Sequence, residues 1–300
     1  MRVLVTGASG FIGQLVCASL AREDHEVVAL VRSAERAPAG STPAVGDLRD
    51  GDGLRAVVAR ERPECVIHLA AEIASQRDAR LVHEVNVGGT EHLLAACTEL
   101  PGASPRFVFA STVVTGEAHG ALLTEDEPLP VATPYGRSKQ ECERLVAASG
   151  LPAVVIRPSH VYGPGGWYAE ELVPRLHQPG RFAVIGSGAN LWDVVHVDDV
   201  VAAMVLAATS AAPGSTYHVV DDEPITYYDF MATTAREAGV GPPRRIPAAL
   251  ARIVAGGNAV DAVVRSARSS NARVKRELGW QPRFATAAPG IADALARMPG

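Results

Sequence analysis

The chain begins with a short apolar run that leads into three closely spaced glycines, MRVLVTGASGFIG, followed by an amphipathic segment. This order is typical of a β-strand, a tight turn and the start of a helix. Gly7 permits the turn, Gly10 leaves room for a pyrophosphate, and Gly13 lets the helix pack closely on the strand. The first N–H groups of the helix, those of Phe11, Ile12 and Gly13, have no helical partner and attract phosphate. The segment predicts dinucleotide binding, with a purely structural glycine turn as the alternative.

The overall composition is that of an ordinary globular protein. With 300 residues, the chain is long enough for one large α/β domain or two lobes. A net charge of −5 gives no reason to expect nucleic-acid binding. No apolar run is long enough for a membrane span, and glycines stand where a signal peptide has its apolar core, so we expect a cytoplasmic protein. The cysteines are far apart, which predicts reduced residues and no metal site; they are Cys17, Cys65, Cys97 and Cys142.

Apolar strands alternate with amphipathic helices through the first half of the chain. This alternation predicts an α/β fold with a doubly wound parallel sheet. After about residue 160 glycines and prolines interrupt the pattern, which resumes near residue 194. We predict a dinucleotide-binding domain of residues 1–160 and 194–221. A smaller, mostly helical substrate-binding lobe would comprise residues 161–193 and 222–300, and the cleft between the two parts is the expected ligand site.

Two polar patterns predict chemistry near the middle of the chain. Tyr135 and Lys139 are four residues apart in a predicted helix, so their side chains share one face. A phenol titrates near ~10, and a neighbouring ammonium lowers that pKa, which helps the phenol to exchange a proton. Ser111 and Thr112 follow a buried strand, where ligands bind in open α/β sheets. The alternatives are a chance pair on an exposed helix and a simple strand-end cap.

Together these patterns resemble the extended short-chain dehydrogenase/reductase family along nearly the whole chain. The shared motifs are Thr6-Gly7-x-x-Gly10-x-x-Gly13, Gly46-Asp47-Leu48-Arg49-Asp50, His68-Leu69-Ala70-Ala71, Asn86-Val87-Gly88-Gly89-Thr90, Ser111 with Gly116, Tyr135 with Lys139, Arg157-Pro158, Tyr162-Gly163-Pro164, His196-Val197-Asp198-Asp199 and Glu277-Leu278-Gly279-Trp280. The resemblance implies an NAD(P)-dependent enzyme on a Rossmann fold.

The resemblance also implies roles for individual residues. Ser111, Tyr135 and Lys139 are the expected catalytic triad, with Thr112 as the alternative to Ser111. The spacing to Gly116 favours Ser111. The cofactor site implied by the same motifs comprises Gly7, Gly10, Phe11, Ile12, Gly13, Asp47, Leu48, Leu69, Ala70, Ala71, Tyr135, Lys139 and Pro158. Within this set, Asp47 and Leu48 are expected to contact adenine.

The end of the second strand indicates which nicotinamide cofactor is bound. NAD enzymes usually carry an acidic residue there, which binds the ribose 2′-hydroxyl. This chain has Arg32 followed by Ser33 and no acid at the strand end. An arginine can bind a 2′-phosphate and a serine can donate a further hydrogen bond, so we predict NADP(H). The alternative is an arginine that merely faces solvent.

The reaction is less well specified because this family performs several reactions on one scaffold. Nucleotide-sugar epimerases of the family often have Arg-Asp where this chain has Trp192-Asp193, and Asn where it has His160. We therefore predict a reductase of a ketone or aldehyde in which Tyr135 protonates the developing alkoxide, with a nucleotide-sugar epimerase or 4-ketoreductase as the alternative. Candidate substrate contacts are Thr112, His160, Trp167 and Trp192. Arginines that could instead hold a diphosphate are Arg175, Arg181, Arg244, Arg245, Arg265 and Arg268.

Two further expectations concern partners. A non-catalytic NADP-binding sensor is a third interpretation, which the retained Tyr135 and Lys139 disfavour. We also expect a homodimer that pairs through the helices predicted over 82–99 and 134–148. Those helices carry apolar residues beyond a single stripe, namely Leu93, Leu94, Leu145 and Val146.

Overall fold

A seven-stranded parallel sheet forms the centre of the protein. The computed structural model describes residues 1–73, 76, 78–178, 182–255 and 257–298. Following the spatial order β12-β7-β5-β4-β1-β2-β3, the sheet consists of β12 (Thr216–Val219), β7 (Ala153–Pro158), β5 (Arg106–Ala110), β4 (Cys65–His68), β1 (Arg2–Thr6), β2 (Glu26–Val31) and β3 (Thr42–Val45). The predicted doubly wound α/β fold is confirmed.

Helices cover both faces of this sheet because its strands are apolar on both sides. One core layer lies under α1 (Phe11–Arg22) and α7 (Val197–Thr209). The opposite layer lies under α2 (Gly51–Glu61), α4 (Gly89–Thr98) and α5 (Pro134–Ala148). The remaining helices are α3 (Ala79–His83), α6 (Val173–Leu176), α8 (Tyr227–Glu237), α9 (Ala248–Ala255), α10 (Gly257–Val264), α11 (Ala272–Leu278) and α12 (Ala287–Ala296), with a 3₁₀ turn at Ala34–Arg36 and π-helical turns at Glu84–Gly88 and Tyr168–Leu172.

Small sheets and an aromatic core make up much of the rest of the chain. Four two-stranded sheets pair β6 (Leu122–Leu123) with β15 (Arg268–Ser269), β8 (His160–Tyr162) with β11 (Val194–His196), β9 (Ala183–Ile185) with β14 (Arg244–Ile246), and β10 (Leu191–Trp192) with β13 (Ile225–Thr226). A separate apolar cluster contains Tyr162, Tyr168, Trp192, Tyr227 and Phe230. Neighbouring rings in this cluster are 4.5 to 6.0 Å apart at their centroids, within the range of favourable aromatic packing.

Two details differ from the sequence prediction. The single helix expected over 82–99 is divided by the π-helical turn at Glu84–Gly88.

The apolar residues offered as evidence for a dimer are also largely buried within the subunit. Leu93, Leu94 and Val146 are buried in the core, and only Leu145 of the four is partly exposed. These side chains therefore give no support for a dimer, because core packing alone accounts for them.

Other expectations can be compared directly with the described residues. All four cysteines are free and buried. None of the described helices combines the length and apolar character needed to cross a bilayer. Arg181, one of the candidate anion-binding arginines, lies outside the described residues.

Candidate active site

The glycine turn after β1 is held tightly against the end of β4. Gly7 has a φ of +68°, which a side chain would disfavour. A Cβ on Gly7 would lie 2.7 Å from the Ala70 nitrogen, and a Cβ on Gly13 would lie 2.1 Å from the Gly7 oxygen. Gly10, in contrast, is exposed, and a Cβ there would meet only the Gly7 oxygen at 3.2 Å. The turn is therefore closed towards the protein and open at Gly10.

The start of α1 presents backbone donors beside this opening. Gly10 is the N-cap residue and no side chain caps the helix. The first N–H groups of α1, from Phe11 to Gly13, therefore remain available to an anion. The Phe11 ring packs beneath glycines, because a Cβ on Gly165 or Gly166 would lie 2.6 or 2.7 Å from it.

The ends of β5 and α5 bring two of the expected triad residues together. Lys139 is 3% exposed, and its Nζ donates to the carbonyl of Ala110, the last residue of β5, at 2.8 Å. Burial lowers the pKa of Lys139 to about 8. Ser111 follows Ala110 directly and is 4% exposed. Its Oγ is buried and has no hydrogen-bond partner among the described residues, which leaves it able to bond a ligand oxygen.

Tyr135 begins the same helix that carries Lys139. Thr133 caps α5 by accepting from the Gly136 N–H at 3.0 Å, and Pro134 occupies the first turn, where proline is well tolerated. Gly136 lets α5 approach closely, because a Cβ there would lie 2.9 Å from the Thr115 oxygen. The helix start is thereby fixed against the loop that follows Ser111.

The pKa of Tyr135 differs from the sequence prediction. Lys139 was expected to lower it, but burial raises the pKa of Tyr135 to about 12. The Lys139 Nζ is 5.9 Å from the centre of the Tyr135 ring and is bonded to the Ala110 carbonyl. Removal of the phenol from water therefore outweighs the attraction of the ammonium. Tyr135 is protonated at neutral pH, which is the form that donates a proton.

A buried hydrogen-bond network connects the glycine turn with α5. His68 Nδ1 is 2.7 Å from Thr6 Oγ1, and His68 Nε2 is 3.1 Å from Thr90 Oγ1. Burial lowers the pKa of His68 to about 3, so the ring is neutral. No chemistry was predicted for His68, and its neutral, fully bonded ring agrees with a structural role.

The helix α5 is joined to this network through side chains that carried no predicted role. The Asn86 side chain donates to Ser138 Oγ at 3.0 Å, and Ser138 in turn donates to the Tyr135 carbonyl at 2.8 Å. Thr90 links the two parts, because its hydroxyl donates to the Asn86 carbonyl at 2.6 Å. The sequence could have indicated Asn86 and Thr90, because both belong to a motif shared with the family. Ser138 could have been suspected only from its place between Tyr135 and Lys139.

The ends of β2 and β3 hold the residues expected to contact the adenosine part of a cofactor. Arg32 is exposed and makes no hydrogen bond or ion pair with any described residue. Ser33 Oγ donates to Glu35, so in this conformation it is not free to donate to a phosphate as expected. Asp47 is bonded to Arg49, and this bonding lowers the pKa of Asp47 to about 2.

The candidate substrate residues divide into buried and partly buried positions. Thr112 is 5% exposed, and its hydroxyl is already used, because it donates to the Pro158 carbonyl and accepts from the Val114 N–H. Trp192 is 3% exposed and lies between Tyr227 and His160, stacked on the latter with ring centres 4.6 Å apart. Direct contact of Thr112 or Trp192 with substrate is therefore not supported, because core packing and backbone bonding engage both.

His160 and Trp167 are only partly buried. His160 Nδ1 is 3.0 Å from the Asp193 carbonyl, an acceptor, so Nδ1 carries the proton. Burial lowers the pKa of His160 to about 3, and the neutral ring keeps Nε2 as an acceptor. The Trp167 indole N–H donates to the Val161 carbonyl at 2.7 Å, and the ring packs against the aromatic cluster.

One group of side chains has the spacing of a metal site. Ligand atoms of His196, Asp198 and Asp293 lie within 4.8 Å of one another. Arg297 bonds both carboxylates, at 2.7 and 3.0 Å, and Arg283 is 3.2 Å from Asp198. The carboxylates are thus already neutralised by cations, and the expectation of no bound metal stays a prediction.

The residues present fit a dinucleotide cofactor. The open position at Gly10 with the uncapped start of α1 suits a pyrophosphate. The unpartnered Ser111 Oγ, together with Lys139 and Tyr135, lies where the reacting end is expected. Leu69 and Ala70, which follow β4, lie against the Gly7 turn between these two regions.

The chain is similar in sequence and in fold to known enzymes. The chain is 36% identical to the 3-diazoavenalumate denitrifying reductase of a Streptomyces species, over 99% of this chain and 100% of that protein. It is 31% identical to the 2-alkyl-3-oxoalkanoate reductase of Stenotrophomonas maltophilia K279a, over 81% of this chain and 77% of that protein. The structure of the Thermus thermophilus UDP-glucose 4-epimerase in complex with NAD is 28% identical, with a TM-score of 0.82 over 99% of this chain and 98% of that one.

A family model also matches the chain. It spans residues 3–220, from the first strand to the end of the parallel sheet, and describes the NAD dependent epimerase/dehydratase family. The glycine turn, Ser111, Tyr135 and Lys139 lie within this range, and their roles stay predictions. The chain therefore belongs to the NAD-dependent epimerase/dehydratase family of extended short-chain dehydrogenases/reductases.

Proposed function

We propose that the protein is an NADPH-dependent reductase of a ketone or aldehyde. The observation that carries this proposal is the arrangement at the end of β5. There an unpartnered, buried Ser111 Oγ follows the carbonyl that binds Lys139 Nζ, and Tyr135 precedes Lys139 by one helical turn. A hydroxyl, a phenol and an ammonium at one strand end can orient a carbonyl oxygen and supply it with a proton.

Each side chain then has a distinct part in the reaction. When bound, the reduced cofactor supplies the hydride for the carbonyl carbon. Ser111 Oγ donates a hydrogen bond to the substrate oxygen and fixes its position. Tyr135, held protonated by burial, donates its proton to the alkoxide as negative charge develops. Lys139, cationic below about pH 8, stabilises the phenolate that remains.

The preference for NADPH rests on Arg32. Arg32 is exposed and follows the carboxyl end of β2. The glycine turn follows the carboxyl end of the neighbouring parallel strand β1. Arg32 forms no ion pair or hydrogen bond with other described residues. A guanidinium binds a phosphate with two parallel hydrogen bonds. Glu35, two residues after Ser33, is an opposing feature, because a nearby carboxylate repels a 2′-phosphate.

A second candidate function comes from the Streptomyces relative. Its name describes a reductase that acts on a diazo compound, and it matches this chain along the full length of both proteins. A hydride donor could serve such a reaction, because hydride that replaces the diazo group of an aryl diazonium ion forms a C–H bond as the C–N bond breaks and N₂ leaves. An epimerase acting on a nucleotide sugar is the remaining alternative, supported by the likeness to the Thermus thermophilus enzyme.

The test is a substrate screen with purified protein. NADPH and NADH oxidation would be followed by absorbance with ketones, aldehydes, aryl diazo acids and UDP-sugars. UDP-sugars would also be incubated with NAD⁺, and the sugar products would be analysed for epimerisation. We expect NADPH-dependent reduction of carbonyl compounds that is lost in Tyr135→Phe. Epimerisation of a UDP-sugar without net NADPH consumption would overturn the proposal. Reduction confined to diazo compounds would replace it with the second candidate.

A homodimer remains part of the proposal and rests on the family resemblance alone. Its first test is light scattering at micromolar protein concentration, where a mass near twice 31.4 kDa is expected. A monomeric mass under these conditions would count against it.

A further inference from the structure

Arg265 is a buried cation beside the loop that follows the catalytic strand. It is 3% exposed, its Nε donates to the Gly116 carbonyl at 3.0 Å, and its Nη2 donates to the Val113 carbonyl at 3.2 Å. Its Nη1 is enclosed and has no hydrogen-bond partner among the described residues. The guanidinium therefore lies against the segment that begins immediately after Ser111 and Thr112.

No described carboxylate forms an ion pair with this guanidinium. Asp193 and Glu117 attract Arg265 electrostatically without forming an ion pair with it, and both are bonded elsewhere. Asp193 accepts from the Ser269 N–H and hydroxyl, at 3.0 and 2.7 Å, and Glu117 accepts from the Ser266 N–H at 3.0 Å. A buried charge without a direct partner is unfavourable, and an arginine does not relieve this by losing its proton.

We propose that Arg265 is the cationic element of the substrate site and that the reduced substrate carries a carboxylate whose charge it balances. This inference rests on the proposed function and adds the chemical class of the substrate. Neighbouring groups support it. His160, which interacts electrostatically with Arg265, is neutral and adds no second positive charge. The charge of Arg265 acts in surroundings from which water is largely excluded, where electrostatic attraction is strong.

A carboxylate fits these surroundings better than a diphosphate. Only one guanidinium nitrogen, Nη1, is without a partner among the described residues. A diphosphate needs several cationic donors. The other described candidates are engaged or exposed, since Arg175 pairs with Glu171 and Arg245 stacks on Tyr228. A single negative charge is what one buried arginine can balance.

The test compares keto acids with their methyl esters. The probes are 3-benzoylpropionate and 4-acetylbenzoate, each with its ester, and kcat/KM is measured with NADPH for the wild type, Arg265→Gln and Arg265→Lys. We expect the wild type to favour the acids by roughly 10- to 100-fold, the effect of one hydrogen bond to a charged group. Arg265→Gln should lower acid turnover more than ester turnover and so abolish this preference, and Arg265→Lys should retain most of it.

Control measurements distinguish an effect of the Arg265 charge from an effect of its bonds to the loop. Arg268→Gln removes an exposed arginine of the same segment and should leave the acid-to-ester ratio unchanged. If Arg265 serves only to hold the loop, its variants will lower acid and ester turnover equally, which would overturn the proposal. An acid-to-ester ratio near one in the wild type would also overturn it, as would binding of UDP-glucose that depends on Arg265 without any preference for acids.

A binding measurement keeps this inference distinct from the proposed function. Dissociation constants of the same acids and esters are measured calorimetrically in the presence of NADP⁺, where no turnover occurs. If no carbonyl compound is reduced, the proposed reductase function fails. Tighter binding of acids than esters that is lost in Arg265→Gln would still support the carboxylate site, and equal binding would reject it.

Discussion

Replacement of Lys139 by methionine is expected to stabilise the protein while abolishing its reaction. Burial lowers the pKa of Lys139 from 10.5 to about 8, which means that the folded protein disfavours the charged form. At about 1.4 kcal/mol per pKa unit, the cost at pH 7 is about 3 kcal/mol. Methionine fills similar space without charge, but the Ala110 carbonyl loses its 2.8 Å bond from Nζ, which costs about 1 kcal/mol.

The expected net gain for Lys139→Met is therefore about 2 kcal/mol in the free energy of unfolding. For a chain of this length, such a gain raises the Tm by roughly 3 °C. Denaturant unfolding and thermal melts of the cofactor-free protein at pH 7 measure it, alongside loss of reductase turnover. Lys139 would then be a residue that the reaction requires although it lowers the free energy of unfolding, which is a recognised trade-off between activity and stability.

The pH dependence offers an independent check of the same reasoning. Between about pH 8 and 10.5 the unfolded chain keeps the Lys139 proton that the folded protein has lost, so wild-type stability gains from this group as pH rises. The variant has no such group, and its advantage should shrink over this window. A variant that unfolds more easily than the wild type at pH 7, or an advantage independent of pH, would refute the reasoning.

Three other substitutions probe the remaining parts of the site. Tyr135→Phe should lower single-turnover hydride transfer by about 10²–10⁴-fold with NADPH affinity preserved, and near-normal transfer would show that Tyr135 is not the acid. Arg32→Ala should weaken NADP⁺ binding by roughly 10- to 100-fold and leave NAD⁺ binding unchanged, as measured by titration with both cofactors; equal wild-type affinities would contradict the predicted preference. His68 has a folded pKa of about 3, below its ordinary 6.5, so the unfolded chain binds more protons between these values and stability falls on acidification. Denaturant unfolding from pH 6.5 to 4.5 should show a shallower fall in His68→Gln, and identical slopes would argue against the assignment.

The alternation of strands and helices along the first half of the chain could be predicted because local patterns determine it. The helix predicted over 134–148 has the observed bounds, since Thr133 caps it and Pro134 occupies its first turn. The pairing of β8 with β11 was not predicted, because these three-residue strands are more than 30 residues apart in the chain and have no distinctive period. Short strands of this kind acquire their partners only in the folded protein.

The identity of the expected triad residues was accessible from motifs, but their electrostatics were not. The raised pKa of Tyr135 and the lowered pKa of Lys139 arise from desolvation, which depends on packing around the site. The special position of Arg265 was likewise hidden. In the sequence it is one arginine of several in the C-terminal part, and nothing local distinguishes a buried guanidinium from an exposed one.

The contact of Phe11 with the loop at residues 163–166 limits how this protein can be recombined with its relatives. The start of α1 is a predicted cofactor element, whereas the loop leads into the predicted substrate lobe. A Cβ on Gly165 or Gly166 would clash with the Phe11 ring, at 2.6 or 2.7 Å. A chimera that exchanges the lobe must carry a loop equally free of side chains, or a smaller residue in place of Phe11. The predicted cofactor and substrate regions therefore share this contact. A chimera that exchanges one region without matching the other should lose stability through a clash at Gly165 and Gly166.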